Sequence, residues 1–140
     1  MATTARQIMQ PGGDCVRTDQ SAADAARMMT SLGVGAMPIC GPDDKLKGVV
    51  TDRDLVIKVV GKGRDAGSFP AGDLNQNEAV TIGADDSAED VLATMTRHQV
   101  RRLPVIDGNK LVGMIAIADV ARTLPNAQTG ELIEALSADY

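Results

Sequence analysis

An internal duplication constrains this chain more than any other feature of its sequence. A shift of 66 positions places Ser21 and Asp24 on Ser87 and Asp90. One residue is then lost in a turn, and a shift of 65 positions places Asp54 on a second aspartate, Asp119. A repeat of this length indicates two similar halves that complete one another's core. We therefore expect a tandem pair of small folded units.

The composition agrees with a single compact module and excludes several classes of protein. The chain has 140 residues, is 44% hydrophobic and contains one Phe, one Tyr and no Trp, so aliphatic side chains and Met must form the core. A net charge of −5 argues against a nucleic-acid surface, which needs a basic patch. The sequence has no apolar run near the ~18 residues that span a bilayer, and its first residues lack a secretory signal. We expect a cytoplasmic protein without membrane contact.

Periodicity predicts the same order of elements in each copy: a short helix, a strand, a helix, two strands and a helix. Apolar residues at i, i+3, i+4 and i+7 follow Ser21 and Ser87, and each of these begins a Ser-x-x-Asp capping motif. Gly33 is placed to end the first long helix. The predicted strand pairs are 36–40 with 46–51 and 103–106 with 110–116, and the helices after them are 52–60 and 117–123. A strand-helix-strand crossover favours parallel pairing, so the fold class is α/β.

The duplication and the polar segments divide the chain into four parts. The first repeat is expected at 1–60 and the second at 71–125. A polar linker at 61–70 separates them, and a C-terminal helical tail follows at 126–140.

Two pairs of segments resemble the core motif of the CBS-domain family. They are GAMPI (35–39) with GVVTDRDL (48–55), and VRRLPVID (100–107) with GMIAIADV (113–120). Within that family, MPICG (37–41) and TDRDLVIK (51–58) resemble the stand-alone actinobacterial CBS pairs of the hypoxic response protein type. The resemblance implies a Bateman module, in which two CBS repeats, each a short mixed sheet with flanking helices, pack about a pseudo-two-fold axis. It also implies adenosine-type ligands in clefts between the repeats, a disc-like homodimer, and regulation rather than catalysis.

The chemistry of such a ligand selects a small set of residues. A ribose diol is well held by a carboxylate, and a phosphate by a hydroxyl and an Arg fork. Thr51 and Asp54 supply the hydroxyl and carboxylate in the first repeat, whereas the second has Asp119 but carries Ala116 in place of the hydroxyl. The alternative is that Thr51 and Asp54 only cap a helix, an account that explains Asp119 less well.

The pair of basic residues occurs in the second repeat, whereas the hydroxyl occurs in the first. Arg101 and Arg102 match phosphate-contacting positions of the family, and Gly35 and Ala36 stand at their first-repeat counterparts. Arg53 is a candidate substitute in the first repeat. The motif position favours Arg101 as the exposed contact and Arg102 as structural support. The alternative is a solvated surface pair.

The remaining polar residues favour neither catalysis nor metal binding. One histidine cannot provide a conventional triad, and no nucleophile has a nearby base, so the chain is predicted not to be an enzyme and to need no cofactor. Two cysteines and one histidine do not make a four-ligand zinc site.

Cys15 begins one predicted strand and Cys40 ends the next, so a disulfide between them is one hypothesis. Reducing cytosolic conditions favour free thiols instead.

Two functions from different classes remain open. The first is a sensor that binds an adenosine nucleotide or S-adenosylmethionine and signals through a partner. The second is a ligand-free, dimeric stress-response protein that acts through protein contacts. In both, apolar residues of the two terminal helices are candidate dimer contacts: Val56, Val59, Val60, Val120 and Leu124.

Overall fold

The computed structural model describes residues 3–75 and 79–137. Its helices are α1 (Ala5–Ile8), α2 (Ala22–Leu32), α3 (Asp52–Lys58), α4 (Ala88–His98), α5 (Ile117–Thr123) and α6 (Asn126–Leu136). Its strands are β1 (Gln10–Pro11), β2 (Val16–Arg17), β3 (Ala36–Cys40), β4 (Leu46–Thr51), β5 (Ile82–Gly83), β6 (Arg102–Asp107) and β7 (Lys110–Ala116). Short 3-10 turns lie at Val60–Lys62 and Ala71–Asp73.

The chain forms two compact units. One, the first-repeat unit, is Asp14–Ala79, and the other, the second-repeat unit, combines Met1–Gly13 with Val80–Tyr140. Each contains a small mixed sheet flanked by helices, which confirms the predicted α/β class. The repeat boundaries predicted from the sequence follow the duplication and not these units. Residues 138–140 of the predicted tail lie outside the described residues.

The first-repeat unit has the strand order β2-β3-β4. Strand β2 runs parallel to β3, as the crossover through α2 predicts, and β3 runs antiparallel to β4. All residues of β3 are buried, and α2 presents its apolar stripe to the sheet. Aliphatic side chains and Met form the buried cluster, as the composition predicts. Its buried residues are Val16, Ala22, Ala25, Met29, Met37, Ile39, Val50, Val59, Ala71 and Leu74.

The second-repeat unit has the strand order β1-β7-β6-β5. Its parallel pair β5-β6 and antiparallel pair β6-β7 reproduce the pairings of the first repeat. Strand β1 adds an antiparallel edge to β7, with Gln10 opposite Met114. Helix α6 contacts both α4 and α5, and its Leu132 and Leu136 are buried in the core of this unit.

Each repeat contributes its starting segment to the other repeat's unit. Ala5 and Ile8 of α1 are buried in the second-repeat core. Their duplicated counterparts, Ala71 and Leu74, are buried in the first-repeat core. Backbone bonds hold both exchanged segments, since the Ala5 amide donates to the carbonyl of Asp86 (2.8 Å) and the Ala71 amide to that of Gln20 (2.7 Å). Neither core is therefore complete without a segment from the other end of the duplication.

The predicted cap at Ser21 is confirmed in full, whereas at Ser87 the structure forms one half of the motif, the bond from the Asp90 amide to the Ser87 hydroxyl (3.1 Å). The Asp24 amide donates to the Ser21 hydroxyl (3.1 Å) and the Ser21 amide to the Asp24 carboxylate (3.0 Å), a full capping box. The bond from the Ser21 backbone and that from the Arg27 guanidinium lower the pKa of Asp24. Gly33 ends α2 with φ +67°, where a side chain would be strained.

Two predicted segments differ in detail from the structure. Helix α3 ends at Lys58, two residues earlier than predicted, and a 3-10 turn at Val60–Lys62 follows it. The predicted linker at 61–70 belongs to the first-repeat unit. It is fastened to α2 because the Ala22 and Ala23 amides donate to the carbonyls of Phe69 and Ala66. Among the described residues, no helix combines the length and the apolar character required to cross a membrane.

The exchanged segments provide a stability test. Leu74 is fully buried in the first-repeat core, so Leu74→Ala should lower the free energy of unfolding by about 2–5 kcal/mol in urea denaturation. Ile133→Ala, on the half-exposed face of α6, serves as the control and should change it by about 0.5 kcal/mol or less. Equal losses in the two variants would contradict the assignment of Leu74 to the core.

Candidate functional site

The first candidate junction lies where β4 ends at Thr51 and α3 begins at Asp52. The Thr51 amide donates to Asp54 Oδ2 (2.9 Å), and the Asp54 amide donates to Thr51 Oγ1 (3.1 Å). The other oxygen, Asp54 Oδ1, has Lys58 Nζ at 3.5 Å, while that ammonium donates to the carbonyl of Leu74 at 2.6 Å. The Asp54 side chain is 24% exposed. The two residues therefore cap the helix and retain accessible polar atoms.

The second candidate junction lies where β7 ends at Ala116 and α5 begins at Ile117. The Ala116 amide donates to Asp119 Oδ2 (2.7 Å), and Gln10 Nε2 donates to Asp119 Oδ1 (3.0 Å). The guanidinium of Arg122 also donates to Oδ1. Asp119 is only 3% exposed. This carboxylate is surrounded by donors of its own unit, unlike that of Asp54.

A cap explains Asp119 better than the sequence indicated. Ala116 has no hydroxyl to complete a capping box, so the sequence disfavours a cap as the role of Asp119. The structure forms the other half of the box without one, because the carboxylate bonds the backbone amide at the strand end. The expectation that a cap explains Asp119 poorly is wrong for this reason.

The three predicted arginines have different surroundings. Arg101 is exposed, and its guanidinium donates to the carbonyl of Leu136 at the end of α6 (3.4 Å). Arg102 is half-buried at the start of β6, opposite Ala116, and its guanidinium has no acceptor within the described parts of the chain. Arg53 is exposed on the first turn of α3. The structural contact thus belongs to Arg101, where the sequence favoured Arg102.

The six predicted ligand residues are divided equally between the units. Thr51, Arg53 and Asp54 belong to the first-repeat unit. Arg101, Arg102 and Asp119 belong to the second-repeat unit. Hydrogen bonds join Thr51 with Asp54 directly. Their role as ligand contacts stays a prediction.

A groove of about 550 Å³ lies between α2 and α3 of the first-repeat unit. Apolar and small side chains line most of it: Ala26, Met29, Thr30, Gly33, Val34, Gly35, Asp52, Leu55 and Val56. Thr51 and Asp54 are not among these residues. We call this feature the α2–α3 groove.

The predicted dimer contacts separate into two groups. Val56 and Val60 are 59% and 70% exposed, so both are available to a partner. Val59, Val120 and Leu124 are buried within their own units. Those three were wrong as contact candidates, because each faces the core behind its helix.

The two cysteines contact each other on neighbouring strands. Cys15 directly precedes β2, and Cys40 ends β3, which pairs with β2 in parallel through Arg17 and Cys40. Both are free thiols in the structure. Burial, together with a hydrogen bond to the Cys15 thiol, raises the pKa of Cys40 to about 12. Cys40 therefore stays protonated at neutral pH, and the half-buried Cys15 is the accessible member of the pair.

Sequence reasoning missed Gln10 and Arg122 as partners of Asp119. Arg122 follows Asp119 by one helical turn, a spacing that signals an ion pair, and the first repeat has Ile57 at that position. Gln10 lies 109 positions from Asp119, so no local pattern reveals it. Gln76, the duplicated counterpart of Gln10, lies outside the described residues.

In the parts of the chain that the structure describes, no cluster of His, Cys, Asp or Glu is suited to hold a metal ion.

The two capping carboxylates should differ in their contribution to stability. Asp119→Ala removes a buried acceptor of three hydrogen bonds and should lower the free energy of unfolding by about 2–4 kcal/mol. The more exposed cap in Asp54→Ala should cost about 1 kcal/mol. Urea denaturation of both variants measures the difference. A loss at Asp54 as large as that at Asp119 would contradict it.

Comparison with known proteins agrees with the geometry. The CBS-domain family model matches residues 5–61 and 71–126. The chain is 42% identical over 134 residues to hypoxic response protein 1 of Mycobacterium tuberculosis. The aligned residues cover 96% of this chain and 94% of that protein. It is similar to the crystal structure of Hypoxic Response Protein I with two coordinated zinc ions (TM-score 0.78, 45% identity, 88% of this chain and 100% of the other). It is also similar to the hexameric CBS-CP12 protein from bloom-forming cyanobacteria (TM-score 0.79, 25% identity, 88% and 68%). The chain therefore belongs to the CBS-domain family, as a tandem pair of the hypoxic response protein type.

Proposed function

We propose that this CBS pair is a regulatory, non-enzymatic module that binds an adenosine-type ligand at the first junction. The candidates are AMP, ADP, ATP and S-adenosylmethionine. The observation that carries the proposal is the unused bonding capacity of Thr51 and Asp54. A ligand that binds one conformation more tightly shifts the population toward it, and a partner responds to that shift.

The first junction has one suitable acceptor and one suitable donor. Asp54 Oδ2 accepts the Thr51 amide, while Oδ1 has only the ammonium of Lys58 at 3.5 Å as a partner within the described residues. A carboxylate has about four lone-pair sites, so Asp54 retains capacity for a ribose diol. Thr51 Oγ1 accepts the Asp54 amide, and its own O–H proton has no acceptor in the described chain. That proton is suited to a phosphate oxygen.

Cationic side chains support an anionic ligand. The Arg53 guanidinium, on the first turn of α3, has no acidic partner among the described residues, in a chain of net charge −5. An Arg fork binds phosphate through two parallel hydrogen bonds. Arg101 and Asp119 are weaker candidates, because Arg101 donates to Leu136 and Asp119 is buried among three donors.

A second function competes with the first. The filled environment of Asp119 favours a protein in which at least one ligand site has been lost. The similarity to a protein named for the hypoxic response supports a stress-response role. In this alternative the protein acts through contacts with other proteins and binds no nucleotide.

We also propose that the protein is a cytoplasmic homodimer. The similar CBS-CP12 protein is described as hexameric, which supports self-association in this family. Val56 and Val60 leave apolar surface exposed, as a partner interface requires. The acidic, aromatic-poor composition gives no support to nucleic acid as a partner.

The cysteine pair carries a separate proposal. We propose that Cys15 and Cys40 form a disulfide under oxidising conditions, because their thiols are already in contact on adjacent strands. The bond would close a loop of ~25 residues and stabilise the fold by roughly 3 kcal/mol in the chain-entropy model. With oxidised glutathione as the oxidant, Cys15, the more accessible thiol, would attack it first and release one glutathione thiol; Cys40 would then lose its proton and displace the second glutathione from the mixed disulfide on Cys15.

Calorimetric titration separates the two functions. With AMP, ADP, ATP and S-adenosylmethionine as probes, the sensor should bind at least one with a dissociation constant below about 1 mM. Binding weaker than this for every compound would overturn the sensor and favour the ligand-free protein.

Asp54→Ala should weaken the best of these ligands by about 10- to 100-fold, because a charge-assisted bond to ribose is lost. Asp52→Ala removes the same charge from the same helical turn, at a residue whose carboxylate bonds only the adjacent amide of Arg53 within the described chain. This control should bind within about threefold of the wild type. An equal loss in both variants would mean that general electrostatics, and not a ribose contact, is measured.

Thiol titration of unfolded protein prepared without reductant tests the disulfide. Protein exposed to oxidant should show no free thiol, and reduction should restore two. In the reduced, folded protein at pH 8, Cys40 should alkylate far more slowly than Cys15. A pKa near 12 instead of 9.0 lowers the thiolate fraction of Cys40 about 1000-fold. Two free thiols after oxidation would contradict the disulfide.

A further inference from the structure

Surface side chains bond the buried carboxylate of the second junction. Gln10 lies on β1, where both residues are exposed, whereas Asp119 is only 3% exposed. The Gln10 side-chain amide donates to Asp119 Oδ1 (3.0 Å), and the Arg122 guanidinium donates to the same oxygen. The side chain of Arg122 is 58% exposed. The two groups that bond this oxygen therefore lie at the surface and not in the core.

The segment that carries Gln10 is held loosely beside Asp119. Strand β1 consists of Gln10 and Pro11 alone, and the Gly12 amide adds one bond to β7 (2.9 Å). The residues that follow, 12–14, are exposed. Helix α1, just before β1, is anchored by two residues that are buried in the core. The Gln10 side chain can therefore leave Asp119 while α1 stays in place.

Cationic side chains beside Asp119 favour an anionic ligand there. Arg122 follows Asp119 by one helical turn, and Arg102 stands opposite Ala116 in the register of β6 and β7. The first repeat has Ile57 in place of Arg122. A carboxylate that can accept a diol, next to a guanidinium that can bind phosphate, suits a nucleoside phosphate. These groups become available together when the covering amide leaves.

We propose that Gln10 competes with a nucleotide for Asp119, so that the N-terminal segment keeps the second junction closed until a ligand displaces it. The ribose and the Gln10 amide would bond the same oxygen, Asp119 Oδ1. This inference rests on the ligand class of the proposed function and goes beyond it, since it concerns another site and names the residue that closes it. A closed site has its apparent affinity reduced by the fraction of molecules in which it is open. The first junction therefore fills before the second.

Amide NMR of 15N-labelled variants during a titration with AMP tests the competition. In Gln10→Ala, the amides of Ala116 and Asp119 should show saturable shifts at AMP concentrations that leave the same amides of the wild type unchanged. Loss of one of the two competing donors should tighten this site by about 10- to 100-fold. A gain of binding is a result that damage to the fold would not produce.

Two further variants control the experiment. Gln128→Ala removes the same side chain from α6 and should leave the second junction as it is in the wild type. Asp119→Asn, added to Gln10→Ala, keeps the side-chain volume but removes the charge, and it should abolish the gained shifts. Thermal melts verify that each variant is folded.

The outcomes separate this inference from the proposed site at the first junction. Shifts at Thr51 and Asp54, with none gained at the second junction in Gln10→Ala, would overturn only the competition. Gained shifts at the second junction without any at Thr51 and Asp54 would overturn only the first site. Absence of shifts at both junctions in every variant, with AMP, ADP, ATP and S-adenosylmethionine, would overturn both. Second-junction shifts in Gln128→Ala as large as those in Gln10→Ala would contradict the role of Gln10.

Discussion

A bond between an aspartate and a backbone amide joins the last strand to the following helix in both repeats. Asp54 accepts from Thr51 and Asp119 accepts from Ala116, at equivalent places in the duplication. The bond fixes where the helix begins, and it needs no particular side chain at the strand end. Thr51 and Ala116 can therefore differ while the fold stays the same. The side chain at the strand end can therefore change without loss of the cap.

The two ends of the chain account for much of the difference between the repeats. Gln10, from the N-terminal segment, donates to Asp119, and α6, from the C-terminal segment, covers α4 and α5. Both segments belong to the second-repeat unit. The first-repeat unit keeps an accessible Asp54 and the open α2–α3 groove. The carboxylate of the second junction is therefore occupied by the protein's own donors, whereas that of the first junction stays accessible.

Much of the fold could be predicted because its signals are local. Gly33, the Ser21 cap and the bounds of β3 and β4 follow from turn chemistry and side-chain periodicity. The duplication predicts halves that complete one another's core, but the segment that does so, α1, could not be predicted, because a four-residue helix has too few apolar positions to show which core it enters. Burial of Val59, Val120 and Leu124 was missed because a short helix does not show from sequence which apolar side faces its own core. The environment of Asp119 depends on Gln10, a contact that only the folded chain creates.

The two junctions have diverged: the carboxylate of Asp54 stays accessible, and that of Asp119 is surrounded by donors of its own unit. Amide NMR of uniformly 15N-labelled protein during a titration with AMP tests this most directly. The account predicts saturable shifts for the amides of Thr51, Arg53 and Asp54, with those of Ala116 and Asp119 unchanged. Shifts centred on Ala116 and Asp119 without any at Thr51 and Asp54 would contradict it.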